Sequence, residues 1–111
     1  MDRLKQLMQF YDENPDDPFV CYCIALEKVK QSQFDEALDW FTGLTKDHPD
    51  YVATYYHMGK LLEEMKRNDD ASAAYQKGIE KARAQQDHHA LSELMGAYNE
   101  LENDFDVEFD D

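Results

Sequence analysis

The sequence contains no apolar run that approaches the ~20 residues needed to cross a bilayer. Its start, MDRLKQL, lacks the apolar core and the small-residue cleavage site of a secretory signal. There are only two cysteines, Cys21 and Cys23. Side chains two residues apart on a helix point in nearly opposite directions, so these thiols cannot pair with each other. These absences predict a cytoplasmic protein whose thiols stay reduced.

Glycine and proline are also scarce, at four and three residues, which permits long helices. Basic residues are outnumbered, with 11 Lys and Arg against 25 Asp and Glu, for a net charge of −14. Half of this charge lies in residues 100–111, which contain seven acids and no base. The acidic excess argues against nucleic acid and anionic membranes as partners and favours a neutral or basic protein or peptide.

Candidate catalytic and metal-binding residues do not form a recognisable site. His88 and His89 are adjacent, so a helix sends them in different directions, and the spacing of Cys21 and Cys23 is wrong for zinc or redox chemistry. The sequence has no glycine-rich phosphate loop and no nucleophile elbow. Acidic pairs are explained as solvated helix residues, with a paired acid-base site as the alternative. We therefore predict no cofactor, no metal and no enzymatic activity.

One spacing of small and large residues recurs along the chain. Ala37, Phe41, Leu44 and Pro49 follow one another as in a helix that buries one narrow stripe and then stops. Thirty-four residues later, Ala71, Tyr75 and Gly78 repeat Ala37, Phe41 and Leu44. Thirty-four residues earlier, Leu4, Leu7, Phe10 and Pro15 precede Leu38, Phe41, Leu44 and Pro49. We predict helices over residues 2–12, 18–31, 35–47, 51–66, 70–86 and 88–102. Residues 19–26 alone are also compatible with a buried strand, but the repeat register favours a helix.

The chain resembles the tetratricopeptide repeat family, whose 34-residue unit pairs two helices with small and aromatic residues at fixed places. The residues that carry the resemblance are Tyr55, Met58-Gly59, Leu62, Ala71 and Tyr75 in one repeat, and Ile24-Ala25, Ala37, Phe41, Leu44 and Pro49 in the other. Cys21 replaces a large aromatic and Lys28 a tyrosine, which weakens the match of that helix. The resemblance implies an all-α fold of antiparallel helix-turn-helix repeats, stacked as a short right-handed superhelix with a C-terminal capping helix. A helical bundle without repeats is the alternative.

The repeat register divides the chain into five parts. Residues 2–14 are the second helix of a partial repeat, 17–50 and 51–86 are two full repeats, and 87–102 are the capping helix. Met95-Gly96 echoes Met58-Gly59 at an offset of 37, which predicts a last connection about three residues longer. Residues 103–111 are predicted to be an acidic, disordered tail.

Membership of this family would imply a non-catalytic module that binds a peptide or helix of a partner protein in a concave groove. Transferring the family's groove positions to this sequence gives Phe19, Tyr22, Leu26, Val29, Lys30, Tyr56, Lys60, Glu63, Glu93 and Ala97. Family members that clamp the C-terminal carboxylates of heat-shock chaperones use basic and amide residues, and here only Lys60 is suited to that role. The alternative is a self-associating structural protein whose groove or N-terminal helix is covered by another copy.

The predicted helix over 18–31 is apolar on its packing side and also on the side that carries Phe19, Tyr22, Leu26 and Val29. A helix that is apolar all round is normally covered all round, which indicates a partner. The alternative is that the rest of the chain already buries part of this side. Trp40 is interpreted as half-buried packing, with a role in an interface as the alternative.

In the predicted tail, Phe105, Val107 and Phe109 alternate with acids. In an extended segment they would share one side, which is a common arrangement for docking in a groove. We hypothesise that the tail occupies the groove of its own or a neighbouring copy and competes with partners. A solvated tail that only aids solubility is the alternative.

Overall fold

The computed structural model describes the backbone of residues 2–109 and the side chains of residues 2–103. Every regular element in this part of the chain is a helix, which confirms the prediction of an all-α fold. The helices are α1 (Arg3–Glu13), α2 (Pro18–Lys30), α3 (Phe34–Asp47), α4 (Ala53–Glu64), α5 (Asn68–Ala84) and α6 (His88–Phe109). The chain divides into two compact units, Met1–Thr54 and Tyr55–Asp111, which we call unit 1 and unit 2.

Aspartates begin α1, α2 and α6 by accepting a hydrogen bond from an amide near the first turn. The pairs are Asp2 with Leu4 (3.1 Å), Asp17 with Phe19 (2.9 Å) and Asp87 with Ala90 (3.1 Å). Pro18 occupies the first position of α2, where its missing N–H breaks no helical bond. Helices α3 and α5 have no such cap bond. Each carries two acidic residues in its first turn, where the positive end of the helix dipole stabilises negative charge. The predicted helix starts after Asp17 and Asp87 are confirmed.

The turns after α2, α4 and α5 share one backbone geometry. Each contains one residue in the left-handed region, namely Ser32 (φ 61°), Lys66 (φ 63°) and Gln86 (φ 57°). The amide of the next residue donates to the carbonyl five residues earlier over 2.8–2.9 Å, which pairs a carbonyl that the helix end would leave free. All three turns therefore stop a helix sharply without the glycine that this geometry favours.

In unit 1, α1 packs against α2 and α2 packs against α3. The predicted stripe of α3 is confirmed, because Ala37, Phe41 and Leu44 are buried. Lys28 lies where the repeat pattern expects a tyrosine, and its side chain is only 14% exposed. Its ammonium lies 3.2 Å from a carboxylate oxygen of Glu36, so the substituted residue still joins α2 to α3.

In unit 2, Tyr75 of α5 is fully buried and its ring lies against the backbone of α4 at Gly59. A Cβ atom built on Gly59 would lie 2.2 Å from Cε1 of this ring, so only glycine fits. A Cβ on Gly78 would likewise lie 2.6 Å from the Cβ of Tyr55. Gly96, in contrast, has open space around it. Glycine at these two positions therefore allows the neighbouring side chains to approach the helix backbone closely.

The structure corrects four expectations about the helices. Helix α4 begins at Ala53, not Tyr51, because the amide of Tyr51 closes a turn onto the carbonyl of His48 (3.0 Å). Helix α5 begins at Asn68, two residues earlier than predicted. Phe10 was aligned with the buried Leu44 but is 56% exposed, since no described helix covers that side of α1. Helix α6 continues to Phe109, past the predicted end at residue 102, and no glycine or proline interrupts it there.

We predict that Ser32→Gly stabilises the protein by about 0.5–1 kcal/mol. Glycine adopts the left-handed region without the steric cost that serine has there, and this gain exceeds its larger loss of chain entropy. The matched control is Ser92→Gly, an exposed residue inside α6, which should destabilise by about 0.5 kcal/mol. Thermal or urea unfolding of the two variants checks this. Equal destabilisation by both would contradict the assigned turn geometry.

Candidate functional site

The outward side of α2 in unit 1 carries five of the predicted groove residues. Phe19 is 59% exposed, Tyr22, Leu26 and Val29 are half-buried, and Lys30 is exposed. The four apolar residues are spaced by three, four and three positions and therefore lie along one side of the helix. Tyr22 is partly covered because its ring makes an edge-to-face contact with Tyr51, at 5.8 Å between centroids. We call this side the α2 strip.

In unit 2, two predicted groove residues of α4 lie together. The ring of Tyr56 is half-buried and lies 5.2 Å from that of His57 and 6.5 Å from that of Tyr75, between centroids. The exposed ammonium of Lys60 is 5.7 Å from the centroid of the Tyr56 ring, within the range of a cation–π interaction. This surface therefore combines an aromatic ring with an accessible positive charge.

Glu63, a third predicted groove residue of α4, has a role in the packing of unit 2. Its carboxylate accepts a hydrogen bond from the hydroxyl of the buried Tyr75. Burial raises the pKa of the Tyr75 phenol, and the hydrogen bond to the negatively charged Glu63 raises it further. No sequence pattern indicated this pair, because the two residues lie on different helices and meet only through their side-chain conformations.

The predicted groove residues of α6 differ in exposure. Glu93 is exposed. Burial lowers the pKa of the nearby His57, and the negative charge of Glu93 partly opposes this shift. Ala97 is only 5% exposed. It lies between Leu94 and Leu101 in the buried stripe of α6. The echo of Met58-Gly59 does not extend to burial, because Met95 and Gly96 are exposed whereas Gly59 is buried.

The tail hypothesis concerns side chains outside the described residues. For Phe105, Val107 and Phe109 the structure describes only the backbone, as part of α6. The expectation of an extended backbone is not met between residues 104 and 109, where α6 continues. Docking of this segment remains a hypothesis.

Unit 1 also contains a cleft that the sequence analysis missed. It has a volume of about 240 Å³ and is lined by segments of α1, the α1–α2 loop, α2 and α3. Trp40 is half-buried there, as predicted, and makes an edge-to-face contact with Tyr11 at 5.0 Å between centroids. The thiol of Cys21 also lines the cleft, 3.8 Å from the carbonyl oxygen of Pro15. These residues are far apart in sequence, so no local motif identified the cleft.

Among residues 2–103, no three His, Cys, Asp or Glu side chains are grouped so that they could hold a metal ion. None of the helices over the described range is both long and apolar enough to cross a bilayer. Cys21 and Cys23 are half-buried free thiols, and burial raises the pKa of both.

The fold and the repeated small–aromatic contacts define an all-α helical repeat protein. The family model of the tetratricopeptide repeat matches residues 28–94, and the chain belongs to this family. Proteins of this family generally bind other proteins and are typically non-catalytic.

Solved structures agree with this assignment. A tetratricopeptide repeat domain protein of Salinibacter ruber is 45% identical, with a TM-score of 0.75, over 78% of this chain and 97% of that chain. A protein of Bordetella parapertussis has a TM-score of 0.85 at 19% identity, over 98% of this chain and 95% of that chain. MamA has a TM-score of 0.64 at 15% identity, over 97% of this chain and 70% of that chain. The last two likenesses concern the fold alone. No curated protein sequence matches this chain.

We predict that Tyr75→Phe destabilises the protein by about 1–2 kcal/mol, because it removes a hydrogen bond to a charged, half-buried carboxylate. The matched control is Tyr98→Phe. The hydroxyl of Tyr98 makes no hydrogen bond within the described residues, so this change should stay within about 0.5 kcal/mol. Urea unfolding of both variants tests the difference. Equal effects would contradict a stabilising role for the Tyr75–Glu63 bond.

Proposed function

We propose that the chain is a protein-protein interaction module, acting as an adaptor or scaffold, that binds a peptide or helix of a partner protein. The observation that carries this proposal is the α2 strip, in which Phe19 is 59% exposed and is followed by Tyr22, Leu26 and Val29. Covering an apolar side chain completely contributes roughly 1.5–3 kcal/mol. The other three residues of the strip are half-buried, so Phe19 has the most exposed apolar surface to bury on binding. Phe19 is therefore the proposed anchor of the strip.

Charged residues of both units support the choice of partner. Lys30 is exposed at the end of the α2 strip, and Lys60 is exposed beside Tyr56. Glu63 and Glu93 retain accessible surface, and the chain as a whole carries a charge of −14. We propose a neutral or basic partner that presents apolar side chains with a few polar groups between them. Nucleic acid and anionic membranes are not proposed as partners, because a strongly acidic chain repels them.

Self-association is the second candidate function, and the exposure of Phe10 favours it. This residue of α1 is 56% exposed, nearly as much as Phe19. A second copy that covered α1 would bury this ring and form a homodimer. For either function we propose the cytoplasm as the location, where the two free thiols stay reduced.

Phe19→Ser and Phe10→Ser form a matched pair that tests the proposal, because both replace a phenylalanine of similar exposure. Proteins captured from a lysate of the native cells by the unmodified chain would be identified, and their affinity for each variant measured by calorimetry. Phe19→Ser should weaken binding by at least about tenfold. Phe10→Ser should leave that affinity unchanged. Circular dichroism should show that both variants keep the helical fold.

Two outcomes would contradict the proposal. Equal binding by Phe19→Ser and by Leu26→Asp would mean that the α2 strip is not the binding surface. A stable dimer, measured by light scattering across concentrations and dissociated by Phe10→Ser, would favour self-association instead.

A further inference from the structure

The cleft of unit 1 has aromatic and acidic walls. The rings of Tyr11 and Trp40 form one side through their edge-to-face contact. Asp16, Asp39 and Asp47 also line it, and none of the described lining residues is lysine or arginine. Such a combination offers both a surface on which a flat cation stacks and groups that accept its hydrogen bonds.

The acidic residues of the cleft are available to a ligand. Among the described residues, the side chains of Asp39 and Asp47 form neither an ion pair nor a hydrogen bond, and both residues are exposed. The charge of Asp47 reaches Cys21, which also lines the cleft. Burial is the main cause of the raised pKa of the Cys21 thiol, and the charges of Asp17, Asp47 and Asp16 raise it further. A cation in this cleft would therefore meet negatively charged residues, and none of the described lining residues is lysine or arginine.

The size of the cleft indicates the size of its ligand. Its volume of about 240 Å³ is below the ~300–1,000 Å³ usual for pockets that enclose small molecules. It suits a single side chain that anchors a partner protein. Of the basic side chains, arginine fits both walls, because its planar guanidinium stacks on aromatic rings and donates to carboxylates in a fork. We propose that this cleft binds an arginine side chain of a partner protein.

This inference is independent of the proposed function of the α2 strip. The cleft contains none of the predicted groove residues, and Cys21, its one residue from α2, is not part of the strip. A partner that used both surfaces would present an arginine in addition to its apolar side chains. Loss of one surface would leave the other intact, so the two proposals fail separately.

Trp40 is the only tryptophan of the chain, so its fluorescence reports directly on the cleft. We would titrate the intact protein with N-acetyl-arginine amide at constant ionic strength and follow Trp40 emission. The neutral isostere N-acetyl-citrulline amide and N-acetyl-lysine amide would be titrated alongside. We expect a saturable change with the arginine compound, a weaker one with lysine and none with citrulline. No saturable change with arginine, or an equal change with citrulline, would overturn the proposal.

Substitution of the cleft aspartates tests whether the arginine compound binds in the cleft. Asp39→Asn and Asp47→Asn should each weaken the binding of N-acetyl-arginine amide by about two- to fivefold, as expected for ion pairs accessible to solvent. Asp69→Asn removes the same charge from an exposed residue of α5, outside the cleft, and should leave the affinity unchanged. Equal weakening by all three variants would show a general charge effect and overturn the assignment.

A second copy of the chain is the other source of an arginine. If the cleft were filled in that way, sedimentation would show a dimer that N-acetyl-arginine amide dissociates and Asp39→Asn weakens. That result would overturn the assignment to a different partner protein. A monomer that still binds the arginine compound supports it.

Discussion

The ring of Tyr75 lying against the bare backbone of Gly59 is the contact on which unit 2 depends. A Cβ atom at position 59 would lie 2.2 Å from the ring, so α4 and α5 approach as closely as they do only because glycine is present. The hydroxyl of the same tyrosine donates a hydrogen bond to the carboxylate of Glu63. Phe41, also fully buried, holds the corresponding place in α3 of unit 1, 34 residues earlier in the sequence. Dense packing of this kind leaves the outward sides of the helices free to vary.

The division between packed and free sides explains how one small chain can present two different surfaces. The α2 strip is apolar and is headed by Phe19, whereas the cleft is aromatic and acidic around Trp40. Both are positioned by helices whose opposite sides are buried, so a ligand meets rigid elements and loses little free energy in ordering them. Glu63 is an exception, because it is a predicted binding residue that also takes part in the packing. Its substitution would therefore change stability, whatever it does to binding.

Helical spacing made the packing predictable, but it did not reveal the cleft or the end of the last helix. Ala37, Phe41, Ala71 and Tyr75 were assigned correctly because their order along the chain places them on one side of a helix. The burial of Ala97 with Leu94 and Leu101 was not anticipated. The left-handed turn residues had no glycine to mark them, so their geometry was not anticipated. The cleft brings together residues of separate helices, which a pattern within one helix does not reveal.

A double-mutant cycle between Gly59 and Tyr75, measured by urea unfolding, tests the central packing contact most directly. Gly59→Ala alone should destabilise by about 1–3 kcal/mol, because the new methyl group overlaps the ring. Gly96→Ala has open space around it and should instead stabilise by about 0.5–1 kcal/mol. In a Tyr75→Leu background the cost of Gly59→Ala should fall by at least about 0.5 kcal/mol, since the shorter side chain leaves room for the methyl group. The same cost in both backgrounds would contradict the close contact between α4 and α5.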